Sequence, residues 1–336
     1  MSFGKNKYVI VALNPLPEAF IRSLIIPYSS ELDREVEIIS LKDLSDWNKV
    51  EEVLLKADII LGDHTLNLKI DEKMVKVMKN VKLIQQPSTG YDNIDIEACK
   101  RYGIPVANIG GANATSVAEY TIMVSLALLR RLIYAHEKTR SGEWIQWELM
   151  NLGTYDLSGK TWGIIGLGRI GKEVAKRIKS FDVRVLYYDK IRSSNEVERE
   201  LKIEYRELPR LLRESDVVSI HVPLTPETRH MISEKELRMM RPGAILINPS
   251  RGEIVDEEAL AKALREGWLG GAAVDVYSVE PPSKDHPLLK LENVNLILTP
   301  HIAGATSDSR ARIIDVSIKN IIKVLKGLPP DNVVNM

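Results

Sequence analysis

The sequence is poor in the features that mark specialised classes of protein. Its 336 residues include a single cysteine, Cys99, which excludes an internal disulfide framework and a cysteine-rich zinc site. Lys+Arg and Asp+Glu both number 46, so no excess charge points to nucleic acid or an anionic membrane surface as a partner. No apolar run approaches the roughly 20 residues of a membrane span, and residues 1–5 show no leader pattern. We expect a cytoplasmic protein that binds a small molecule and no metal, with Cys99 as a buried apolar side chain.

Short apolar runs alternate with helical patterns along the chain. A hydrophobic fraction of 44% over this length allows two domains with cores of their own. The strands predicted in the first third of the chain are 8–13, 36–39, 58–61, 81–84 and 103–107. Alternation of this kind is typical of a parallel sheet with helices on its faces. This first part contains no glycine fingerprint.

The most informative stretch is residues 160–189. A strand pattern at 161–165 is followed by Gly166-Leu167-Gly168-Arg169-Ile170-Gly171, a helical pattern, and a second strand that ends on Asp189. Gly166 permits a sharp turn, Gly168 lets a pyrophosphate approach the backbone, and Gly171 lets helix and strand pack closely. Such a glycine pattern alone is often only a loop. With both strands and the acid in register, it predicts a dinucleotide site at the helix N-terminus.

The acid after the second strand bears on the choice of cofactor. Asp189 can accept hydrogen bonds from both ribose hydroxyls, and its charge repels a 2′-phosphate, which favours NAD over NADP. Nearby Lys190 and Arg192 weaken that preference, and the alternative is that Asp189 merely caps the turn.

The rest of the chain completes the predicted fold. Strands recur at 217–221, 244–248, 272–275 and 295–298, and a last helix at about 307–326 returns to the first domain. We therefore predict an α/β fold with two doubly wound parallel-sheet domains, a Rossmann-type nucleotide domain inserted into a flavodoxin-like substrate domain. The expected bounds are 1–108 and 303–336 for the substrate domain and 109–302 for the NAD-binding domain.

A long helix is predicted to begin at Ser116. This residue is a suitable N-cap, Glu119 follows as in a capping box, and apolar residues run through Leu132. Since the helix is apolar on more than one face, it is either sandwiched inside the domain or packed on a second subunit together with Trp144 and Trp147. We favour a homodimer.

Three chemically complementary side chains follow predicted strands in the second half. Arg251 follows the strand 244–248, Glu280 comes after 272–275, and His301 follows 295–298. Taken singly, each has an ordinary structural explanation as a surface ion pair, a solvated acid or a structural histidine. Together they suit hydride transfer to a 2-oxo acid: His301 donates a proton, Arg251 holds the carboxylate through two hydrogen bonds, and Glu280 favours the imidazolium form. In the first domain, the N–H groups of the turn at Thr89-Gly90 are candidates to receive the substrate carboxylate, unless this is an ordinary turn.

The motifs resemble the D-isomer-specific 2-hydroxyacid dehydrogenase family over nearly the whole chain. The resemblance rests on 88–95, 113–119, the glycine fingerprint, 250–252, Asp275-Val276 with Glu280-Pro281, and 299–301. It implies catalysis by Arg251, Glu280 and His301, a substrate loop at Thr89 and Gly90, a homodimer formed through the nucleotide domain, and hinges near Asn108 and after His301. The cofactor contacts that it implies are Asp275 at the nicotinamide, the backbone of Arg169 and Ile170, an adenine pocket at His221 and Pro223, and also Pro249, Ser250 and Gly304.

Family resemblance leaves several activities open. Similar members include phosphoglycerate, glyoxylate/hydroxypyruvate and D-lactate dehydrogenases, and the phosphoglycerate enzymes tend to place an arginine where this chain has Asp63. We therefore favour reduction of glyoxylate or hydroxypyruvate over D-3-phosphoglycerate dehydrogenase activity. A third possibility, an NAD-sensing binding protein similar to corepressors, is disfavoured by the full Arg-Glu-His set.

Overall fold

The computed structural model describes residues 7–65 and 67–336. Residues 1–6 and Leu66 lie outside the described residues. The expected lack of a leader depends on residues 1–5 and therefore falls outside them. The contact pattern divides the chain into two units, one with described residues 7–65, 67–113 and 307–336, the other Ala114–Thr306. The assignment of one unit to substrate and the other to cofactor, with the bounds expected above, stays a prediction.

The first unit contains a five-stranded sheet in which every pair of neighbours is parallel. Its strands are β1 (Lys7–Ala12), β2 (Glu35–Ser40), β3 (Ile59–Leu61), β4 (Leu83–Gln85) and β5 (Val106–Ala107). Their order is β2-β1-β3-β4-β5, which is the flavodoxin-like order. The helices between them are α1 (Glu18–Ile25), α2 (Trp47–Lys56), α3 (Glu72–Val77) and α4 (Ile96–Arg101).

Local sequence sets where three of these helices begin. Asp46, Asp71 and Asp95 are the N-caps of α2, α3 and α4, and each carboxylate accepts a hydrogen bond from the N–H three residues later. A cap of this kind stabilises a helix by about 1 kcal/mol. Cys99, in α4, is fully buried as predicted, and burial raises the pKa of its thiol to about 12.

The second unit contains a seven-stranded sheet, again with all neighbours parallel. Its strands are β6 (Thr161–Ile165), β7 (Arg184–Tyr188), β8 (Ile203–Tyr205), β9 (Val217–Ile220), β10 (Ile245–Asn248), β11 (Gly271–Val274) and β12 (Leu296–Leu298). The order β12-β11-β10-β9-β6-β7-β8 reverses between β6 and β9, as in the Rossmann fold. The predicted fold class is confirmed for both units, although β8 at the sheet edge was missed.

Helices cover the faces of this second sheet. They are α5 (Ala114–Leu129), α6 (Leu132–Arg140), α7 (Gln146–Leu152), α8 (Arg169–Ile178), α9 (Asn195–Leu201), α10 (Leu208–Glu214), α11 (Glu234–Leu237) and α12 (Glu257–Arg265). Helix α5 packs on α8 and on β10 and β11, so it is sandwiched inside its unit. No helix among the described residues is long and apolar enough to cross a membrane.

The last helix, α13 (Ser307–Leu325), completes the first unit as predicted. Ile318 and Ile321 are buried in one core cluster with Ile10 and Leu83 of the first sheet. The Nδ2 atom of Asn320 donates to Gln85 Oε1 at 2.9 Å. The chain therefore builds this unit from both of its ends.

The predicted start and end of the long helix are wrong. Helix α5 begins at Ala114, so Ser116 lies inside it, and its hydroxyl is 3.0 Å from that of Thr306. The helix ends at Leu129 because Arg131 has a left-handed backbone with φ 48°, after which α6 begins. A tertiary partner for the serine hydroxyl, rather than a helix terminus, explains the local signal.

Candidate active site

The predicted chemical residues lie where neighbouring strands end. β10, β11 and β12 are adjacent in the sheet, and Arg251, Asp275 and His301 follow their carboxyl ends. Ligands of doubly wound sheets bind at this edge. Parallel pairing therefore brings together residues that are far apart in sequence.

Glu280 and His301 form a pair, as the sequence predicts. The Nδ1 atom of His301 lies 2.7 Å from Glu280 Oε2, and Glu280 Oε1 accepts a hydrogen bond of 3.0 Å from the N–H of Tyr277. The two side chains remain 42% and 35% exposed, respectively. Because Nδ1 is held by the carboxylate, Nε2 is the ring nitrogen that can exchange a proton with a ligand.

The environment of Glu280 favours its ionised form. Partial burial raises the pKa of this carboxyl, but hydrogen bonds from His301 and the Tyr277 N–H, together with the charges of His301 and Arg251, hold the pKa below its ordinary value. The ionised carboxylate of Glu280 is a hydrogen-bond acceptor for a protonated Nδ1 of His301. The pair is thus suited to hold a proton for transfer.

The backbone of His301 is held in an unusual conformation. Its φ of 55° lies in the left-handed region, which costs a residue with a Cβ atom about 1–2 kcal/mol. The N–H of His301 donates to Asp275 O, while the N–H groups of Ile302 and Ala303 donate to the Asp275 carboxylate, each at 2.8 Å. Asp275 is fully buried, and burial raises its pKa. The residue predicted to contact the nicotinamide is therefore also the anchor of the His301 loop.

Arg251 is presented by a turn that its neighbours stabilise. Asn248 Nδ2 donates to Arg251 O at 2.9 Å, and Asn248 Oδ1 accepts from the N–H of Ser250 at 3.1 Å. The guanidinium donates to Ser250 O at 2.7 Å. At Gly252 a Cβ atom would lie 2.0 Å from the carbonyl carbon of Tyr277, so only glycine lets this turn pack against the segment before Glu280.

A second acid, which the sequence did not indicate, also holds the segment before Glu280. Glu257, at the start of α12, accepts hydrogen bonds from the N–H of Ser278 at 2.9 Å and from its hydroxyl at 2.5 Å. His286 Nε2 lies 3.1 Å from Glu257 Oε2, the oxygen that also accepts from the Ser278 hydroxyl. Nothing in the spacing of the sequence links 257 to 278, so only tertiary packing reveals this support for Glu280.

The glycine loop has the geometry that a dinucleotide requires. Gly166 has φ 95°, and at Gly171 a Cβ atom would lie 2.1 Å from Gly166 O, so helix α8 and the loop are in close contact. At Gly168 a Cβ atom would meet no atom within 4 Å, which leaves open space beside the backbone. Gly168 is the N-cap of α8 and supplies no side-chain hydrogen bond, so the N–H groups of Arg169 and Ile170 at the helix N-terminus are suited to phosphate.

Asp189 is placed at the end of β7, next to this loop. Its Oδ2 atom accepts a hydrogen bond of 2.7 Å from the N–H of Leu167. Asp189 therefore caps the turn, as the alternative interpretation held. Contact of its carboxylate with a ribose stays a prediction.

The predicted adenine pocket contains a neutral histidine. His221 follows β9, its Nε2 is 3.0 Å from Ser219 Oγ, and burial lowers its pKa to about 3. Ser250 Oγ donates to Ile220 O at 2.6 Å, which ties the Arg251 turn to the end of β9. The remaining predicted cofactor residues lie in the same loops: Pro223, Pro249 and Gly304. Their cofactor contacts stay predictions.

In the first unit, the predicted substrate loop is built from hydrogen bonds of its own. Ser88 Oγ donates to Gly90 O at 2.7 Å, Thr89 Oγ1 donates to Asn113 Oδ1 at 2.7 Å, and Asn108 Nδ2 donates to Thr89 O at 2.9 Å. Within the described residues, the N–H groups of Thr89 and Gly90 have no protein acceptor. They can therefore serve a carboxylate or water.

Asp63, in the same unit, has a structural role that the sequence did not indicate. It is 2% exposed, and its carboxylate accepts hydrogen bonds from the N–H groups of Thr65, Asn67 and Leu68 at 2.9 to 3.0 Å, as well as from the Thr65 hydroxyl. The carboxylate anchors its own loop, so its charge is a weaker argument about substrate than the sequence suggests. Among the described residues, no group of three or more His, Cys, Asp or Glu side chains could hold a metal ion.

Comparison with known proteins identifies the family. The model for "D-isomer specific 2-hydroxyacid dehydrogenase, NAD binding domain" matches residues 122–303. The chain belongs to this family. A glyoxylate reductase of Thermofilum pendens is 42% identical over 324 residues, 95% of this chain and 94% of that one. A D-3-phosphoglycerate dehydrogenase of Archaeoglobus fulgidus is 39% identical over 311 residues, 93% of this chain and 57% of that protein.

Solved structures agree with this assignment. A glyoxylate reductase from Paecilomyes thermophila is similar at a TM-score of 0.87 and 26% identity, covering 98% of this chain and 99% of that one. The predicted family, the two-domain α/β fold and the NAD cofactor are thereby confirmed. The protein is an NAD-dependent dehydrogenase that acts on a small hydroxy or oxo acid.

Proposed function

We propose that this dehydrogenase reduces a small unphosphorylated 2-oxo acid, glyoxylate or hydroxypyruvate, with NADH. The observation that carries the proposal is the 2.7 Å contact between His301 Nδ1 and Glu280 Oε2. It lies at the carboxyl edge of the seven-stranded sheet, in the same unit as the glycine loop. This contact leaves Nε2 of the imidazole for the substrate.

The proposed chemistry divides among three side chains. When bound, the reduced cofactor supplies the hydride. His301 gives a proton from Nε2 to the carbonyl oxygen as negative charge develops there, and Glu280 stabilises the imidazolium before transfer. Arg251 holds the substrate carboxylate through its planar guanidinium and so fixes the carbonyl carbon in one orientation. In the reverse direction, neutral His301 takes the hydroxyl proton.

The substrate preference is supported by the relatives. The glyoxylate reductase of Thermofilum pendens matches along almost its whole length, whereas the phosphoglycerate enzyme is matched over 57% of its own length. D-3-phosphoglycerate dehydrogenase activity is therefore the weaker alternative.

The test is NADH absorbance with a panel of glyoxylate, hydroxypyruvate, pyruvate and 3-phosphohydroxypyruvate. We expect the highest kcat/KM with glyoxylate or hydroxypyruvate, and the matched control is His301→Ala, which should bind NADH but turn over slowly. A preference for the phosphorylated acid would establish the alternative. NADH binding without turnover of any 2-oxo acid would support a nucleotide-sensing protein instead.

We also propose a homodimer formed through the nucleotide domain. Apolar side chains of the second unit that are exposed in the single chain include Met123 at 57%, Trp144 at 82%, Trp147 at 73% and Met150 at 61%. Large exposed apolar patches mark interaction surfaces. In light scattering, the parent should have twice the monomer mass and Trp147→Glu should have the monomer mass. A monomeric parent would contradict the proposal. The expected cytoplasmic location stays a prediction.

A further inference from the structure

A hydrogen-bonded chain of two hydroxyls and one carboxylate runs from α5 to the His301 loop. The Tyr120 hydroxyl lies 2.6 Å from Thr299 Oγ1, and Thr299 Oγ1 donates to Asp275 Oδ1 at 2.5 Å. Threonine has one hydroxyl proton, and it is given to the carboxylate. Tyr120 must therefore donate to Thr299, which fixes the direction of the chain as Tyr120 to Thr299 to Asp275.

The carboxylate at the end of this chain determines the shape of the loop that presents the catalytic imidazole. Asp275 Oδ1 accepts from the N–H of Ile302 as well as from Thr299, and Oδ2 accepts from the N–H of Ala303. These two N–H groups follow His301 directly along the chain, and the left-handed φ of 55° at His301 persists only if the surrounding contacts hold it. Rotation of the carboxylate would release the loop.

Burial makes each member of the chain dependent on its partner. Tyr120 is 6% exposed and Asp275 is fully buried. Burial raises the pKa of Tyr120, so it stays a proton donor at any working pH. Burial also raises the pKa of Asp275, while the hydrogen bond from Thr299 and those from the two N–H groups oppose that rise and favour the carboxylate. The orientation of the buried Asp275 side chain thus depends on these donors.

A simpler explanation is that Tyr120 is a core residue whose ring alone matters. It packs in the same cluster as Val117, Val124 and Leu128, which are other buried residues of α5. Phenylalanine would fill this space equally well. The two explanations therefore differ only in what the hydroxyl group does, and that difference can be measured.

We propose that Tyr120 and Thr299 are positioning residues for proton transfer, because their ordered hydroxyls fix the Asp275 carboxylate and through it the loop that carries His301. The inference rests on the proposed role of His301 as the acid. It assigns no contact with substrate to either hydroxyl.

The test compares substitutions that remove a hydroxyl with one that keeps it. Tyr120→Phe and Thr299→Val should each lower kcat, by up to about 10²-fold if the imidazole is displaced by an ångström, with NADH affinity unchanged. Thr299→Ser should restore near-parental kcat. The double variant should be no slower than Thr299→Val alone, since the chain is already broken there. Thr121→Val removes a buried hydroxyl of the same helix whose one bond within the described residues is to Val117 O, and it should match the parent.

The kinetics would overturn the inference if the double variant showed independent, multiplicative losses, if Thr299→Ser failed to restore kcat, or if Thr121→Val showed an equal loss. Tyr120→Phe removes only the terminal donor, so it carries the test if Thr299→Val does not fold. A second readout needs no turnover: the NMR signals of the His301 ring should shift in Tyr120→Phe and not in Thr121→Val. If the signals shift but the protein reduces no 2-oxo acid, the proposed function is wrong and the positioning role is retained. If the signals do not shift, the positioning role is wrong.

Discussion

Two histidine–glutamate pairs lie in the second unit, and they differ in how far their side chains are exposed. His301 and Glu280 approach to 2.7 Å with side chains 42% and 35% exposed, whereas His286 and Glu257 lie 3.1 Å apart with side chains 8% and 14% exposed. The Nδ1 atom of His286 accepts from the N–H of Leu288, and its buried Nε2 lies 3.1 Å from Glu257 Oε2 without forming a hydrogen bond. In His301 the carboxylate takes Nδ1 alone. Residue type is thus the same in both pairs, and exposure makes the difference: the ring of His301 can reach a ligand, whereas the ring of His286 is buried.

The pairs are also connected. Glu257 holds Ser278, two residues before Glu280, so the buried pair supports the segment that supplies the exposed one. We therefore expect substitutions in the exposed pair to change rates and substitutions in the buried pair to change mainly stability.

The largest difference should come from matched histidine substitutions. His301→Gln removes the proton carrier and should lower kcat/KM in both directions by about 10²–10⁴-fold. His286→Gln should leave kcat/KM within about tenfold of the parent, since it does not exchange a proton with substrate. Steady-state kinetics with thermal unfolding of both variants checks this. Equal loss of activity in the two variants would erase the distinction between the pairs.

Arg251→Lys should have the next largest effect. An ammonium keeps the charge but loses the planar fork, so substrate alignment fails and kcat/KM should fall by about 10²-fold or more, as when a positioned donor is removed. Arg238→Lys, on the surface of the same unit, serves as the control. Near-parental kinetics in Arg251→Lys would remove this residue from the site.

Gly252→Ala tests whether the Arg251 turn must contact the segment before Glu280. The added Cβ atom would meet the backbone at Tyr277 and Ser278, so turn or segment must shift, at a cost typical of overpacking, about 1–3 kcal/mol. We expect a lower denaturation midpoint together with a reduced kcat. Unchanged stability would mean that the two segments are not in firm contact.

The smallest effect on rate should come from Glu257→Gln. The amide keeps the shape but loses the charge that accepts two hydrogen bonds from Ser278, so the free energy of unfolding should fall by about 1–3 kcal/mol. Urea denaturation at neutral pH measures this, with kcat changing less than tenfold. A loss of kcat as large as that in His301→Gln would place Glu257 in the chemistry.

The fold and the exposed pair were predictable because their signals are local. Glycines at 166, 168 and 171, strand patterns and polar residues just after strands are each visible in a few consecutive residues, and parallel pairing then brings Arg251 and His301 to one edge. The buried pair, the role of Asp63 and the chain through Tyr120 depend on which distant side chains pack together. Ser116 shows the limit of local signals: its capping-box pattern is present, but α5 begins two residues earlier and the Ser116 hydroxyl lies 3.0 Å from that of Thr306.

The most direct test of the account is kcat/KM against pH, in both directions, for the parent, Glu280→Gln and Glu257→Gln. The pKa of Glu280 is held below its ordinary value, so its carboxylate is charged throughout the range above about pH 5 and favours the imidazolium there. Glu280→Gln removes that charge, so reduction should fall off at lower pH than in the parent and oxidation should begin at lower pH. Glu257→Gln should keep the parental profile. If the reduction limb stays in place in Glu280→Gln, or moves equally in Glu257→Gln, Glu280 is not the partner that charges His301.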